Sequence, residues 1–178
     1  MTDLAVWPRE LPAPLAALPG HVAAMLGATS RPVSELSDAP DGPLLVVLTG
    51  AALGRPELFS ALDRIIDGRA APTALVVGDG WIGTEGPDVP AALTGAATVA
   101  LARSIAVRRH PTGRVNVVCV PEALVGESGS QRGPLPLEIR SADVAEVVAF
   151  MLGDQSSYID GQVLYADGGR QLFSSLTA

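Results

Sequence analysis

Few residues of this chain have side chains that could carry out chemistry. Lysine is absent, and all twelve basic residues are arginines. Histidine occurs only at His21 and His110. Tyrosine occurs only at Tyr158 and Tyr165, and Cys119 is the single cysteine. The sequence contains no Ser-His-Asp spacing, metal-binding cluster or phosphate-binding lysine motif. Reactions that depend on those groups therefore have no motif to support them, and we expect no bound metal.

Three of the reactive residue types have simple structural explanations. Asp79 follows an apolar run and is predicted at the carboxyl end of a strand, where sites of α/β proteins lie. A capping or solvent-exposed role is favoured there over catalysis. His110 precedes Pro111 at a helix end, where the helix dipole favours it. Cys119 lies inside an apolar run and is expected to be a small buried hydrophobic residue.

The composition is typical of one globular domain. Hydrophobic residues make up 48% of the chain and charged residues 17%, which is enough apolar material for a core. A net charge of −7 disfavours nucleic acid and anionic membranes as partners. The N-terminus lacks a signal-peptide pattern, and Arg103 interrupts the longest apolar stretch, 89–107, so no membrane span is predicted. We expect a cytoplasmic protein, and arginine-only basic residues are typical of a GC-rich bacterial genome.

Apolar strands alternate with helices along the chain. The strands carry continuous apolar runs, which indicates that helices cover both of their faces. This pattern predicts a Rossmann-like, three-layer α/β fold with a mostly parallel sheet. Strands are predicted at residues 4–7, 32–36, 43–48, 73–77, 114–120 and 161–165, and helices at 56–67, 89–109 and 142–152, the last one capped by Ser141. Residues 13–26 have helical content, but Pro19 and Gly20 interrupt it, so a helix is expected to start afresh near His21.

Three segments of the second half resemble the short-chain dehydrogenase/reductase family. They are AALTGAATVALARS from Ala91, RVNVVCVP from Arg114 and SYIDGQVLYADGG from Ser157. The resemblance implies a Rossmann fold and, in an intact member, NAD(P)-dependent hydride transfer. The family's catalytic helix begins Tyr-x-x-x-Lys, and the strand before it ends in a serine.

The resemblance places Gly78, Ala91 and Gly95 at the positions of the family's serine, tyrosine and lysine. The tyrosine delivers a proton to the developing alkoxide, and the lysine lowers the pKa of that tyrosine and holds the coenzyme ribose. Glycine and alanine can do neither. We therefore predict no catalytic residues and no family-type activity.

The coenzyme loop of the family is also altered. Residues 45–56 imitate it, but Pro56 stands where the last glycine belongs and lacks the N–H that a phosphate needs. Thr49 lies only 42 residues before Ala91, much closer than in the family. We therefore interpret 44–50 as the family's middle strand, in one truncated domain (1–178) whose nucleotide-binding half is reduced to residues 1–43. We expect no cofactor, with NAD(P) as the alternative.

Segments that contact neighbouring subunits in the family are the best preserved. Helix 89–107 carries small residues where a polar face is expected. The resemblance implies one interface along this helix and a second at the last helix and strand. A role in folding alone is the competing explanation. The predicted interface residues are Ala92, Ala96, Val99, Arg103, Phe150, Tyr158, Val163 and Tyr165.

Three functions follow from these observations. The first is a non-catalytic family member that acts by association, either as a homodimer or as a structural or regulatory subunit of an active member. The second is an NAD(P)-dependent oxidoreductase with an unusual site. The third is a small-ligand binding module built from the loops 78–87 and 121–140, in which Trp81 would stack on a flat ligand.

Overall fold

One parallel sheet of six strands organises the molecule. The computed structural model describes residues 3–49, 55–82, 89–125 and 139–174. The strand order in this part of the chain is β2-β1-β3-β4-β5-β6, and every neighbouring pair is parallel. The predicted Rossmann-like class is confirmed. The strands are β1 Asp3–Trp7, β2 Thr29–Pro32, β3 Leu44–Val47, β4 Thr73–Gly78, β5 Val115–Val120 and β6 Val163–Tyr165.

Helices cover both faces of the sheet. In the described residues they are α1 Leu18–Leu26, α2 Pro56–Asp67, α3 Asp79–Ile82, α4 Val89–Arg109, α5 Ser141–Leu152 and α6 Arg170–Ser174. Helices α1 and α5 pack against each other, and α2 packs against α4. Parallel crossovers are normally right-handed, which puts α1 on one face and both α2 and α4 on the other. Because α5 lies beside α1, the β5–α5–β6 connection has the opposite hand.

The centre of the sheet is the core. Every residue of β3, β4 and β5 is buried, as the continuous apolar runs predict. Asn116 is a buried polar residue in β5 whose side-chain amide bonds at both ends: its NH2 group donates to Ile159 O (2.9 Å) and its oxygen accepts from the Gln162 N–H (3.0 Å). This pair of hydrogen bonds holds the chain that leads into β6.

The long helix α4 is tied to its neighbours at its C-terminal end. Arg108 bridges Asp63 and Asp67 of α2, and buried Arg109 donates to Ala71 O (3.0 Å). By length and composition α4 would also pass as a membrane span. Here one side of it packs on the sheet and on α2, as in a core helix.

Three local predictions were wrong. The strand expected at 32–36 lies at 29–32, because this exposed edge strand has no apolar alternation to mark it. The helix expected to start afresh near His21 begins earlier, at Leu18, because α1 accepts Pro19 in its first turn; residues Ala13–Leu15 before it form a 3₁₀ turn. Ser141 is not a cap: α5 begins after Arg140, whose N–H donates to the Asp143 carboxylate (2.7 Å).

Candidate functional site

The strand order reverses between β1 and β3, and ligands of open α/β sheets bind at the carboxyl ends of the strands at that point. A coenzyme phosphate is normally held there by a glycine-rich turn and the N-terminus of the next helix. In this chain the connection from β1 to α1, residues 8–17, contains no glycine and three prolines. Helix α1 also has Pro19 in its first turn and no side-chain cap. This segment therefore has fewer backbone N–H groups that could hold a pyrophosphate.

The chain's own residues fill the crevice. The 3₁₀ turn Ala13–Leu15 follows β1 and packs against a second turn, Glu122–Val125, which follows β5. Since β3 and β4 lie between β1 and β5, this contact crosses the carboxyl ends of both strands. Leu15 is fully buried, and Leu124 and Val125 are 1% exposed. We call this contact the crevice plug.

Trp7, at the end of β1, contacts the outer side of the same edge. Its indole N–H donates to Ser34 O (3.3 Å), just beyond β2. The end of β2 is where a Rossmann domain binds the coenzyme ribose through an acidic side chain. In this protein the half-buried Trp7 indole links the ends of β1 and β2, and the exposed Glu35 directly follows Ser34.

The three positions that the resemblance assigns to the family's catalytic groups are all buried. Gly78 is the last residue of β4, and Ala91 (1% exposed) and Gly95 lie in the first two turns of α4. None of them presents a polar side chain. Neither of the chain's tyrosines lies on α4, so no phenol replaces the missing proton donor from that helix.

A charged cluster occupies the sheet edge next to these positions. Asp79 is 4% exposed; its carboxylate pairs with Arg170 Nε (3.3 Å) and accepts the Gly80 N–H (2.9 Å). Glu122 donates its backbone N–H to the same carboxylate. Asp79 therefore joins the ends of β4 and β5 to α6. The capping role expected for it is present, together with an ion pair that places it in the interior.

Two more residues complete this cluster. Asp167 is 3% exposed and caps α6 by accepting the N–H groups of Gly169 (2.8 Å) and Gln171 (2.9 Å). A Cβ on Gly80 would overlap the Glu122 carboxylate, so Glu122 lies directly on the Gly80 backbone. Glu122 and Arg170 were not predicted from the sequence. Each follows the end of a strand by a few residues, and that position is the signal by which they could have been found.

Burial controls the protonation of the groups at this edge. Burial raises the pKa of Asp79, and the Arg170 guanidinium opposes that shift in part. Burial also raises the pKa of Cys119 and of Tyr165. Cys119 is therefore a buried thiol, as predicted, and its thiolate is strongly disfavoured. These groups link secondary-structure elements, and the thiol and phenol are held in their neutral forms.

The raised pKa of Asp79 predicts a specific pH dependence of stability. Between the ordinary carboxyl pKa of 3.8 and the higher pKa in the folded state, the folded protein binds more protons than the unfolded chain. The Asp79 contribution to the unfolding free energy should therefore fall as pH rises through that window. Relative to Asp79→Asn, the wild type should be favoured at the acid end and lose that advantage with rising pH.

Urea unfolding of both proteins from pH 3.5 upward measures this difference, and Asp38→Asn, at an exposed carboxylate, controls for net charge. If the unfolding free energy of the wild type rises relative to that of Asp79→Asn as pH increases, the raised pKa of Asp79 is contradicted.

In the described residues, the connection 8–17 offers no glycine turn for a coenzyme pyrophosphate, and Ala91 and Gly95 have no polar side chain for a ribose. Among the described residues there is also no group of three acidic, histidine or cysteine side chains that could hold a metal ion. The described residues at this edge form a cluster held by hydrogen bonds and an ion pair.

The remaining predicted residues are dispersed. Ala92, Ala96 and Arg103 are exposed on α4, and Val99 is half-buried. Phe150 lies near the end of α5 at the opposite sheet edge from Tyr165, so these two do not share one end of the molecule. Tyr158 is fully exposed, and Val163 is half-buried. His21 and His110 are exposed. The Trp81 side chain, 83–88 and 126–138, which carry most of the predicted ligand loops, lie outside the described residues.

Comparison with known proteins agrees with the topology. Residues 88–171 match the model of a family described as enoyl-(acyl carrier protein) reductase. No match was found among curated proteins.

Solved structures with the same fold cover almost the whole chain. The 3-alpha-hydroxysteroid dehydrogenase of Pseudomonas sp. B-0831, in complex with NADH, is 19% identical over 99% of this chain and 100% of that one (TM-score 0.67). An enoyl-(acyl-carrier-protein) reductase of Anaplasma phagocytophilum, in complex with NAD, is 14% identical over 97% of this chain and 94% of that one (TM-score 0.67). A short chain dehydrogenase family protein of Francisella tularensis subsp. tularensis SCHU S4 is 15% identical over 97% and 99% (0.64).

The parallel sheet, its switch point and the helices on both faces thus define a Rossmann-like α/β domain. The matched segment includes α4, β5, α5 and β6, and three of these elements, α4, β5 and β6, carry the sequence resemblance. Residues 88–171 are thus similar to that family model, and the whole chain has the fold of these short-chain dehydrogenase structures. Gly78, Ala91 and Gly95, which the sequence resemblance places at the family's catalytic positions, carry no functional side chain.

Proposed function

We propose that this protein is a non-catalytic member of its family that acts by association, with a second copy of itself as the first partner. The observation that carries the proposal is the inverted polarity of α4. Its buried side holds two threonines, and its exposed side is mostly apolar. A helix on the surface of a monomer has the reverse arrangement.

The threonines are accommodated because the helix itself satisfies them. Thr94 and Thr98 are 2% and 0% exposed, and their hydroxyls donate to the carbonyls of Pro90 and Thr94, each at 2.8 Å. On the other side Val89, Leu93 and Val107 are 70%, 64% and 81% exposed. Nothing in the described protein covers these three side chains, which leaves apolar area available for a partner.

The exposed residues follow a regular spacing. They recur at alternating steps of four and three residues, the spacing of a helix–helix contact. We call them the α4 seam, and it extends over about 30 Å of helix. Its members are Val89, Leu93, Ala96, Ala100, Arg103 and Val107. The seam replaces the predicted set on this helix, of which Ala96 and Arg103 are retained.

The seam is complementary to itself in the antiparallel sense. An antiparallel second copy of α4 would place Ala96 opposite Ala100, with Val89 opposite Val107 at both ends. The arrangement is two-fold symmetric, as the interface of a homodimer must be. The small residues at the centre allow the two helix backbones to approach closely. Leu93 would lie opposite Arg103, whose aliphatic stem can cover it while the guanidinium stays in water.

Loss of catalysis is supported by the plug and by Gly78, Ala91 and Gly95. The competing function is NAD(P)-dependent oxidoreduction, which the NADH and NAD complexes of similar folds favour. It requires the turns Ala13–Leu15 and Glu122–Val125 to separate and a proton donor to come from outside α4.

Sedimentation velocity and coenzyme titration of the purified chain test both parts. We expect a concentration-dependent dimer at twice the 18.2 kDa mass of one chain, and no change in melting temperature with NADH or NADPH. A monomer at all concentrations would reject self-association; the same experiment with an active family member from the native host then tests the subunit alternative. Saturable binding of NADH with turnover would reject the non-catalytic assignment.

A further inference from the structure

A groove opens at the edge of the sheet opposite to the crevice plug. It lies between the C-terminal ends of α1 and α5 and has a volume of about 600 Å³. A shallower extension of about 380 Å³ continues along the two helices and shares Met25 and Glu146 with it. This size is in the range of pockets that bind small organic ligands. Neither part includes a residue of the plug or of the α4 seam.

The walls of the groove are mainly apolar. Met25 and Phe150 are 51% and 38% exposed, and Leu26 is half-buried behind them. A thioether and an aromatic ring are polarisable surfaces, and a ring face attracts cations. Alanines at positions 24, 142 and 149 give the groove its depth.

The electrostatics of the groove are negative from two independent sources. Both helices point their C-terminal ends at it, and neither has a basic residue in its last turn. Helix C-termini carry a partial negative charge. Glu146 and Asp154 add two exposed carboxylates to the lining, which contains no arginine. Arg114 reaches the Gly153 carbonyl (2.9 Å), and Arg140 interacts electrostatically with Glu146; the extension includes His21.

We propose that this groove binds an organic cation with an apolar body, such as an alkylammonium or quaternary ammonium compound. The carboxylates and helix ends attract the charge, Phe150 provides a ring face for it, and Met25 and Leu26 contact the hydrocarbon part. An anion would be repelled, and a hydrated metal ion would leave the apolar walls unused. The proposal is independent of coenzyme loss and of self-association.

Titration by NMR with three amphiphilic probes tests the charge preference. Hexyltrimethylammonium, hexanoate and 1-hexanol carry unbranched chains of similar length and differ in head group and charge. We expect saturable shifts of the Met25 methyl and Phe150 ring signals with the cation at millimolar concentration, and binding at least tenfold weaker for the other two. Equal binding of all three probes would show that the groove is a non-specific apolar surface and would overturn the proposal. The absence of shifts with the cation would also overturn it.

Paired variants separate the site from general electrostatics. Glu146→Gln with Asp154→Asn removes both carboxylates without changing shape and should weaken cation binding about tenfold or more. Glu10→Gln with Glu35→Gln changes the net charge equally at exposed residues elsewhere and should leave binding unchanged. Phe150→Leu should weaken the quaternary ammonium but not 1-hexanol. Equal effects of the two charge pairs would show that net charge alone acts and would overturn the proposal.

Discussion

Ala96→Glu should convert the proposed dimer into a monomer, with the dissociation constant raised about 100-fold or more, because each interface would bury two unpaired carboxylates at its centre. Ala96 lies at the middle of the α4 seam, where the two helices would approach most closely. The longer side chain also separates the backbones there. Sedimentation equilibrium over a range of concentrations measures the change.

Ala24→Glu is the matched control for this variant. Ala24 is an exposed helical alanine like Ala96, but it lies on α1, on the other face of the sheet. The same substitution there should leave the dimer intact. Equal loss of association in both variants, or none in Ala96→Glu, would remove α4 as the interface. Circular dichroism of each monomer checks that the fold survives, which is expected because both residues are exposed.

Leu15→Ala should lower the unfolding free energy by about 2–5 kcal/mol, the cost of removing a fully buried leucine side chain. Leu15 is the member of the crevice plug contributed by the β1–α1 connection, and it is 0% exposed. Its loss leaves a cavity between the two 3₁₀ turns that rigid strand ends cannot close. Urea unfolding monitored by fluorescence measures the effect.

Leu172→Ala serves as the comparison for Leu15→Ala, since the same side chain is 72% exposed there. Its cost should stay within about 0.5 kcal/mol. A Leu15→Ala variant no less stable than Leu172→Ala would show that the plug is not packed. Leu15→Ala should also fail to bind NADH, because opening the crevice restores neither the glycine turn nor the groups at Ala91 and Gly95.

Elements with a strong apolar pattern were predicted well. The bounds of α2 and α4 agree with the expected 56–67 and 89–109, and the three central strands lie within a residue or two of their expected places. Continuous apolar runs indicate strands that are covered on both faces. Together with their alternation with helices, they predict a parallel sheet. Where the pattern is weak the prediction failed: β2 is an exposed edge strand, and its position depends on pairing with β1 rather than on its own residues.

The expectation of no family-type activity rests on residue types and stays a prediction. No arrangement of the chain can supply a lysine, and Gly78, Ala91 and Gly95 have no functional side chains wherever they lie. The crevice plug was not readable, because Ala13–Leu15 and Glu122–Val125 are more than a hundred residues apart in sequence. Their contact exists only because β1 and β5 end at the same edge of the sheet.

The sequence by itself thus determined the fold class and the absence of lysine, since the first depends on the local period of the side chains and the second on which side chains are present. The tertiary structure decided which side of α4 faces the sheet, and with it that Thr94 and Thr98 are buried while Leu93 and Val107 are exposed. Helical periodicity predicts which residues share a face of the helix, but not which face the sheet will cover. The tertiary structure also brings two helix ends and two carboxylates together around one groove. Charges from distant segments of the chain add only where the fold places them side by side.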